Sequence, residues 1–93
     1  MDNSSVLTEE QSKMLKNMGS LGYLPKKISL IMPEFTETFL TLELKRADSP
    51  IKKVYEEGSN FADYLLDLKL FEMARAGDIK ALEKLEQRKR TRT

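Results

Sequence analysis

The sequence predicts an all-α fold: a small N-terminal helix-turn-helix-like bundle, followed by a long helix that folds back as an αα-hairpin. Three observations predict it. Ser49-Pro50 opens an apolar pattern of helical spacing that runs to Arg75. Ala76-Gly77-Asp78 then punctuates the chain and starts a second helical pattern after a very short turn. Residues 34–46 alternate partly like a strand, but no partner strand is evident, and a lone strand leaves its hydrogen bonds unmade.

Residues 1–8 read as a flexible arm. Thr8 fits an N-cap, and Gln11 three residues later completes a capping box. Glu9 and Glu10 lie in the first turn, where the helix dipole favours carboxylates. Met14, Leu15 and Met18 form a short apolar stripe, and Gly19 and Gly22 end the segment, so the expected helix covers about 9–18. Pro25 suits the first position of the next helix, because its missing N–H has no partner there anyway. Ile28, Ile31 and Met32 share a face, Leu30 covers a flank, and Pro33 stops the helix at 32. From Glu34 to Arg46 two periods compete. Phe35, Phe39 and Leu42 have helical spacing, whereas Leu40, Leu42 and Leu44 alternate. The missing partner strand decides for a helix over 35–45. Residues 9–47 thus form the helix-turn-helix-like region.

Residues 45–49 are a polar link, and the long helix spans about 50–75. Ile51, Val54, Tyr55, Ala62 and Leu65 make one stripe; Phe61, Tyr64, Leu68 and Phe71 make a second; Leu66, Leu70 and Met73 make a third. Its back half is therefore apolar nearly all round, and such a helix is buried on more than one side. Either the N-terminal helices wrap it or other copies do. Gly58 interrupts the pattern, and three readings fit: a close helix approach, a bend, or a tolerated surface glycine costing about 1 kcal/mol relative to alanine. Gly77 suits the left-handed residue that ends the helix, and Asp78 the N-cap of the next. Ile79, Leu82 and Leu85 give that last helix its stripe over about 79–89, before it frays into a basic tail, 90–93. The hairpin, 48–89, is the expected oligomerisation element. With 93 residues, the chain is expected to form one compact unit overall.

Composition excludes several classes of chemistry. The chain has neither cysteine nor histidine. Disulfides, thiolate zinc sites and every nucleophile arrangement built on histidine are absent. No cofactor is expected, and no enzyme. Asp63 and Asp67, one turn apart, offer at most a weak hard-cation site; a solvated face is the simpler reading. Glu83 and Gln87 with Lys80 and Lys84 look like ordinary surface pairs. No segment approaches the length of a membrane span and no secretory signal is visible, so a cytoplasmic location is the expectation. Net charge is +1, yet residues 77–93 carry six basic and three acidic side chains. Arg88, Lys89, Arg90 and Arg92 concentrate this charge. They either bind phosphate or an acidic protein face, or form a solvated end.

The two helices at 25–32 and 35–45 have the size of a helix-turn-helix, with Lys26, Lys27, Lys45 and Arg46 as phosphate contacts. Against DNA contact, the second helix carries Glu34, Glu37 and Glu43, and lacks Asn, Gln or Arg in its first two turns to read bases.

The phrase SPIKKVYEEGSNFADYLLDLKLFEMARAGDIKALEKLEQRK, residues 49–89, resembles the helical segment of small terminase subunits from tailed phages and prophages. Its most specific part runs from Leu70 to Lys89: a helix ending in A-x-x-G-D, then I-K-A-L-E-K-L and a basic end. The resemblance implies a DNA-binding subunit of the genome-packaging machine, working in the bacterial host cytoplasm. It would assemble with copies of itself, bind double-stranded DNA and deliver it to the large terminase subunit, which holds the ATPase and nuclease. By position, Lys26, Lys27, Lys45 and Arg46 would touch phosphates. Phe61, Leu65, Leu68 and Phe71 would pack against neighbouring subunits, and the stretch from Arg88 to Arg92 would meet DNA or the large subunit. The acidic second helix departs from a typical DNA reader. A helical protein–protein adaptor or regulator with no nucleic-acid role is the alternative.

Overall fold

Caps written into the sequence set the helix boundaries. The computed structural model describes residues 7–92, and of Arg92 only the backbone. Among these the helices are α1 (Glu9–Leu21), α2 (Pro25–Ile31), α3 (Glu37–Glu43), α4 (Pro50–Arg75) and α5 (Ile79–Arg92), with no strand. Thr8 and Gln11 close the capping box of α1, each side chain bonding the other residue's N–H at 3.0 Å. Thr8 therefore belongs to the helix, and Leu7 packs against the core, while the rest of the proposed arm lies outside the described residues. The helix runs through Gly19 and ends at Gly22, in the left-handed region at φ 72°. Pro25 opens α2. Thr36 caps α3 by accepting from the Phe39 N–H at 3.1 Å, so the ambiguous stretch is helical.

Packing forms two units where one is expected from length, the first ending at Phe61 and the second beginning at Ala62. The division falls inside α4 rather than near residue 48. Its cause is local: Ile51, Val54 and Tyr55, on the first turns of α4, belong to the N-terminal core.

In the first unit Leu15, Met18, Ile28, Met32, Leu40 and Ile51 are buried together. Helices α2 and α3 pack against each other, joined by residues 32–36. The buried face of α3 is Leu40, Glu43 and part of Leu44, whereas Phe39 and Leu42 are exposed. Burial of Glu43 is possible because both carboxylate oxygens are met. Ser49 Oγ donates to Oε1 at 2.8 Å, and Arg46 Nη1 donates to Oε2 at 2.8 Å. The same Ser49 oxygen accepts from the Ile51 and Lys52 N–H groups at 3.2 and 3.3 Å, capping α4. One carboxylate thus ties the end of α3 to the start of α4. Glu43→Ala strands the buried hydroxyl and is expected to cost about 2 kcal/mol in urea unfolding, the scale of a hydrogen bond to a charged group. An unchanged midpoint would refute this role.

Helices α1 and α4 cross at two glycines. An ideal Cβ on Gly58 falls 1.9 Å from the Lys16 carbonyl oxygen, and one on Gly19 falls 1.9 Å from that of Tyr55. Backbone meets backbone there, with no room for a side chain on either helix. Ser20 Oγ adds a bond across the crossing to the Gly58 carbonyl at 3.0 Å. Tyr55 donates its hydroxyl to the Tyr23 carbonyl at 2.8 Å, and burial pushes its phenol pKa up. Of the three readings open for Gly58, the close approach is the one observed.

The second unit is the hairpin formed by the latter half of α4 with α5. Gly77, at φ 104°, turns the chain, and Asp78 Oδ1 accepts from the Ala81 N–H at 3.0 Å. Its core is thin: Leu70, Ala81 and Leu85, flanked by Ala74. α5 continues to Arg92, past the fraying expected at 89. Lys, Arg and Gln are good helix formers, and cations at a C-terminus are favoured by the dipole.

Candidate functional site

The eight candidate DNA-contacting residues fall four in each unit, and their surroundings differ. In the first unit, Lys26 and Lys45 are exposed. The Lys27 ammonium sits 4.8 Å from the centre of the Tyr23 ring, a cation–π contact that leaves it accessible. Arg46 is engaged: it bonds Glu43 at 2.8 Å and Asp48 at 3.4 Å. These carboxylates, first Glu43 through its hydrogen bond, raise the Arg46 pKa further. The expectation that Glu43 repels phosphate changes accordingly, since its charge is buried against Arg46. Glu34 accepts from Gln11 Nε2 at 3.3 Å. Glu37 remains exposed in the first turn of α3.

In the second unit, Arg88 is half-buried and clamps the hairpin. Its Nε donates to Asp67 Oδ1 at 2.6 Å, and Nη2 reaches Asp63 at 3.5 Å. The Asp67 hydrogen bond is the main cause of its raised pKa. The Asp63–Asp67 spacing does select a cation, and that cation is the guanidinium of α5. No cluster of three or more metal-ligating side chains exists among the described residues. Lys89 makes a loose pair with Glu86 at 3.9 Å and stays exposed, as does Arg90. The Arg92 side chain lies outside the described residues.

The expected oligomer contacts are largely solvent-facing. Phe61, at the end of the first unit, is 55% exposed. In the second unit Leu65 is 48%, Leu68 38% and Phe71 47% exposed. Leu65, Leu68 and Phe71 follow one another at i, i+3 and i+6, and the Arg75 guanidinium lies 5.7 Å from the Phe71 ring centre. They form an exposed apolar belt, of which Leu68 and Phe71 line a groove together with Leu85 of the hairpin core. Large hydrophobics exposed singly are ordinary, but a contiguous run marks an interaction surface.

Sequence reading missed the ion pairs of Arg46 and Arg88. The i,i+3 spacing of Glu43 and Arg46 was an available signal, whereas the Arg88–Asp67 contact depends on hairpin register. No helix among the described residues is long and apolar enough to cross a membrane. No family model, curated protein or solved structure matches the chain.

Proposed function

We propose that this chain is a non-enzymatic DNA-binding and assembly subunit of a phage-type genome-packaging terminase, presenting double-stranded DNA to the large subunit that carries ATPase and nuclease. The observation that carries the reading is the exposed belt Leu65–Leu68–Phe71 on a hairpin whose own core is thin. Such a surface favours gathering of copies. Each copy then contributes a few accessible cations, Lys26, Lys27 and Lys45 in one unit and Lys89 and Arg90 in the other. Single patches of this size bind weakly, and an assembly multiplies them by avidity. Arg46 and Arg88 hold the fold together in this scheme, and the exposed lysines meet phosphate.

Duplex binding by the assembled protein tests the proposal. Affinity should fall steeply with salt, since each phosphate neutralised contributes about −0.9 to the slope of log K against log salt concentration. Lys26→Ala/Lys27→Ala/Lys45→Ala should flatten that slope by up to about three such contributions per engaged subunit. No duplex binding at low salt by an assembled oligomer would overturn the DNA role. The adaptor reading would then stand in its place. One observation favours that second reading: Arg46 and Arg88 are spent on carboxylates, while α3 exposes Phe39 and Leu42, which suit a protein surface.

A further inference from the structure

Neighbouring charge separates the lysines of this chain. It carries 15 acidic residues, yet none lies between Gln11 and Pro33, a stretch that holds Lys13, Lys16, Lys26 and Lys27. Lys13 follows Glu9 and Glu10 by one helical turn. Lys16, Lys26 and Lys27 have no acidic residue within four positions on either side, and every other lysine has at least one. All three are exposed, and none forms an ion pair among the described residues.

Contacts bring Lys16 and Lys27 to one corner of the first unit. Lys27 sits over the Tyr23 ring, and the Tyr23 carbonyl accepts from the Tyr55 hydroxyl. The Tyr55 carbonyl in turn lies where a Cβ on Gly19 would fall, one turn along α1 from Lys16. Glu56 and Glu57 follow Tyr55 on α4, yet neither pairs with a lysine of this corner. The surface of α3 is the opposite in character. It exposes Glu37, Phe39 and Leu42, and no basic residue occurs from Glu37 to Leu44.

We propose that the duplex docks on this α1–α2 corner, with Lys16 as a phosphate contact beside Lys26 and Lys27, and that α3 stands off it. The inference rests on the DNA-binding reading above and locates its surface. A phosphate responds to the summed local field, and a carboxylate one turn from a lysine offsets that lysine's attraction. Three lysines without such neighbours therefore attract a polyanion more than an equal number set among glutamates. A second copy docking corner to corner about a two-fold axis would set these lysines against their own counterparts. Leu21 and Leu24 are exposed nearby, as single hydrophobics commonly are, and an anionic lipid surface is the rival that the test includes.

The test is fluorescence anisotropy of the full chain on a labelled duplex across a salt series. Two matched variants each remove one positive charge from an exposed lysine: Lys16→Ala, and Lys53→Ala, which has Glu56 and Glu57 one turn on. Lys16→Ala should reduce the salt slope by about 0.9, so the affinity lost between about 50 and 200 mM salt shrinks about threefold. Lys53→Ala should leave the slope unchanged, and both variants should keep wild-type helical content by circular dichroism. Glu37→Gln should bind the duplex as the wild type does. Equal slopes for the two lysine variants would overturn the docking surface and leave the DNA reading standing. Tighter binding by Glu37→Gln would do the same, because it puts α3 against phosphate. No duplex binding by the wild type at low salt would overturn both. Phosphatidylserine vesicles are the remaining arm. Vesicle binding abolished by Leu21→Ser/Leu24→Ser, with duplex binding indifferent to Lys16→Ala, would reassign the corner to lipid.

Discussion

Gly58→Ala is expected to destabilise the N-terminal unit by about 3 kcal/mol or more, the upper end of the range for overpacking. The methyl would sit 1.9 Å from the Lys16 carbonyl oxygen and 2.8 Å from its carbon, both backbone atoms. No rotamer change relieves a clash with backbone, so α1 and α4 must move apart. Separation weakens the Ser20 bond to the Gly58 carbonyl and loosens Leu15 and Met18 against Ile51. Gly19→Ala makes the reciprocal clash with Tyr55, and one displacement relieves both. The double variant should therefore cost less than the sum of the two. The sign of the effect is diagnostic. At an exposed, uncrowded helix position alanine stabilises by about 1 kcal/mol relative to glycine. A rise in the urea midpoint of Gly58→Ala would place no helix against it. Gly22→Ala is the control: nothing lies within 4 Å, and only the left-handed backbone opposes the change, at about 1–2 kcal/mol.

Much of the fold was legible because caps and breakers are local. Thr8 with Gln11, Ser49 with Pro50, and Gly77 with Asp78 each act on their own neighbours, and each stands where the sequence places it. Registers between helices were less legible. Gly19 reads as a terminator because glycine ends helices, yet α1 continues through it, since a neighbouring backbone occupies the space of its side chain. The inward face of α3 was not legible for a related reason. Phe39 and Leu42 are more hydrophobic than Glu43, but Arg46 and Ser49 satisfy the carboxylate and let it turn inward. Of the candidate site, the belt residues are exposed, as an unwrapped helix requires. The basic residues divided by what stands beside them, which charge counting cannot reveal: Arg88 has Asp67, and Lys26 has no carboxylate partner among the described residues.

Leu65→Glu/Leu68→Glu is expected to convert the assembled protein to monomers, weakening self-association at least 100-fold, about 2.7 kcal/mol, by light scattering or sedimentation. Within the single chain the two leucines are 48% and 38% exposed, so charging them should leave unfolding nearly unchanged. At a contact between copies the same carboxylates would be desolvated without partners and would repel across every interface. Leu85→Glu supplies the contrast. Leu85 is 7% exposed in a core with Leu70, Ala81 and Ala74, so its replacement should melt the hairpin itself. A wild-type protein that stays monomeric at high concentration, or a belt variant that stays assembled, would sink the assignment. The thinness of that core gives the prediction its force. Two long helices held by three buried apolar residues and the Arg88 clamp are marginal alone. Covering the belt with another copy adds the buried apolar area that the hairpin's own residues do not provide. DNA affinity should then depend on the belt as well. The monomeric variant keeps every cation, and its duplex binding should still fall sharply because avidity is lost.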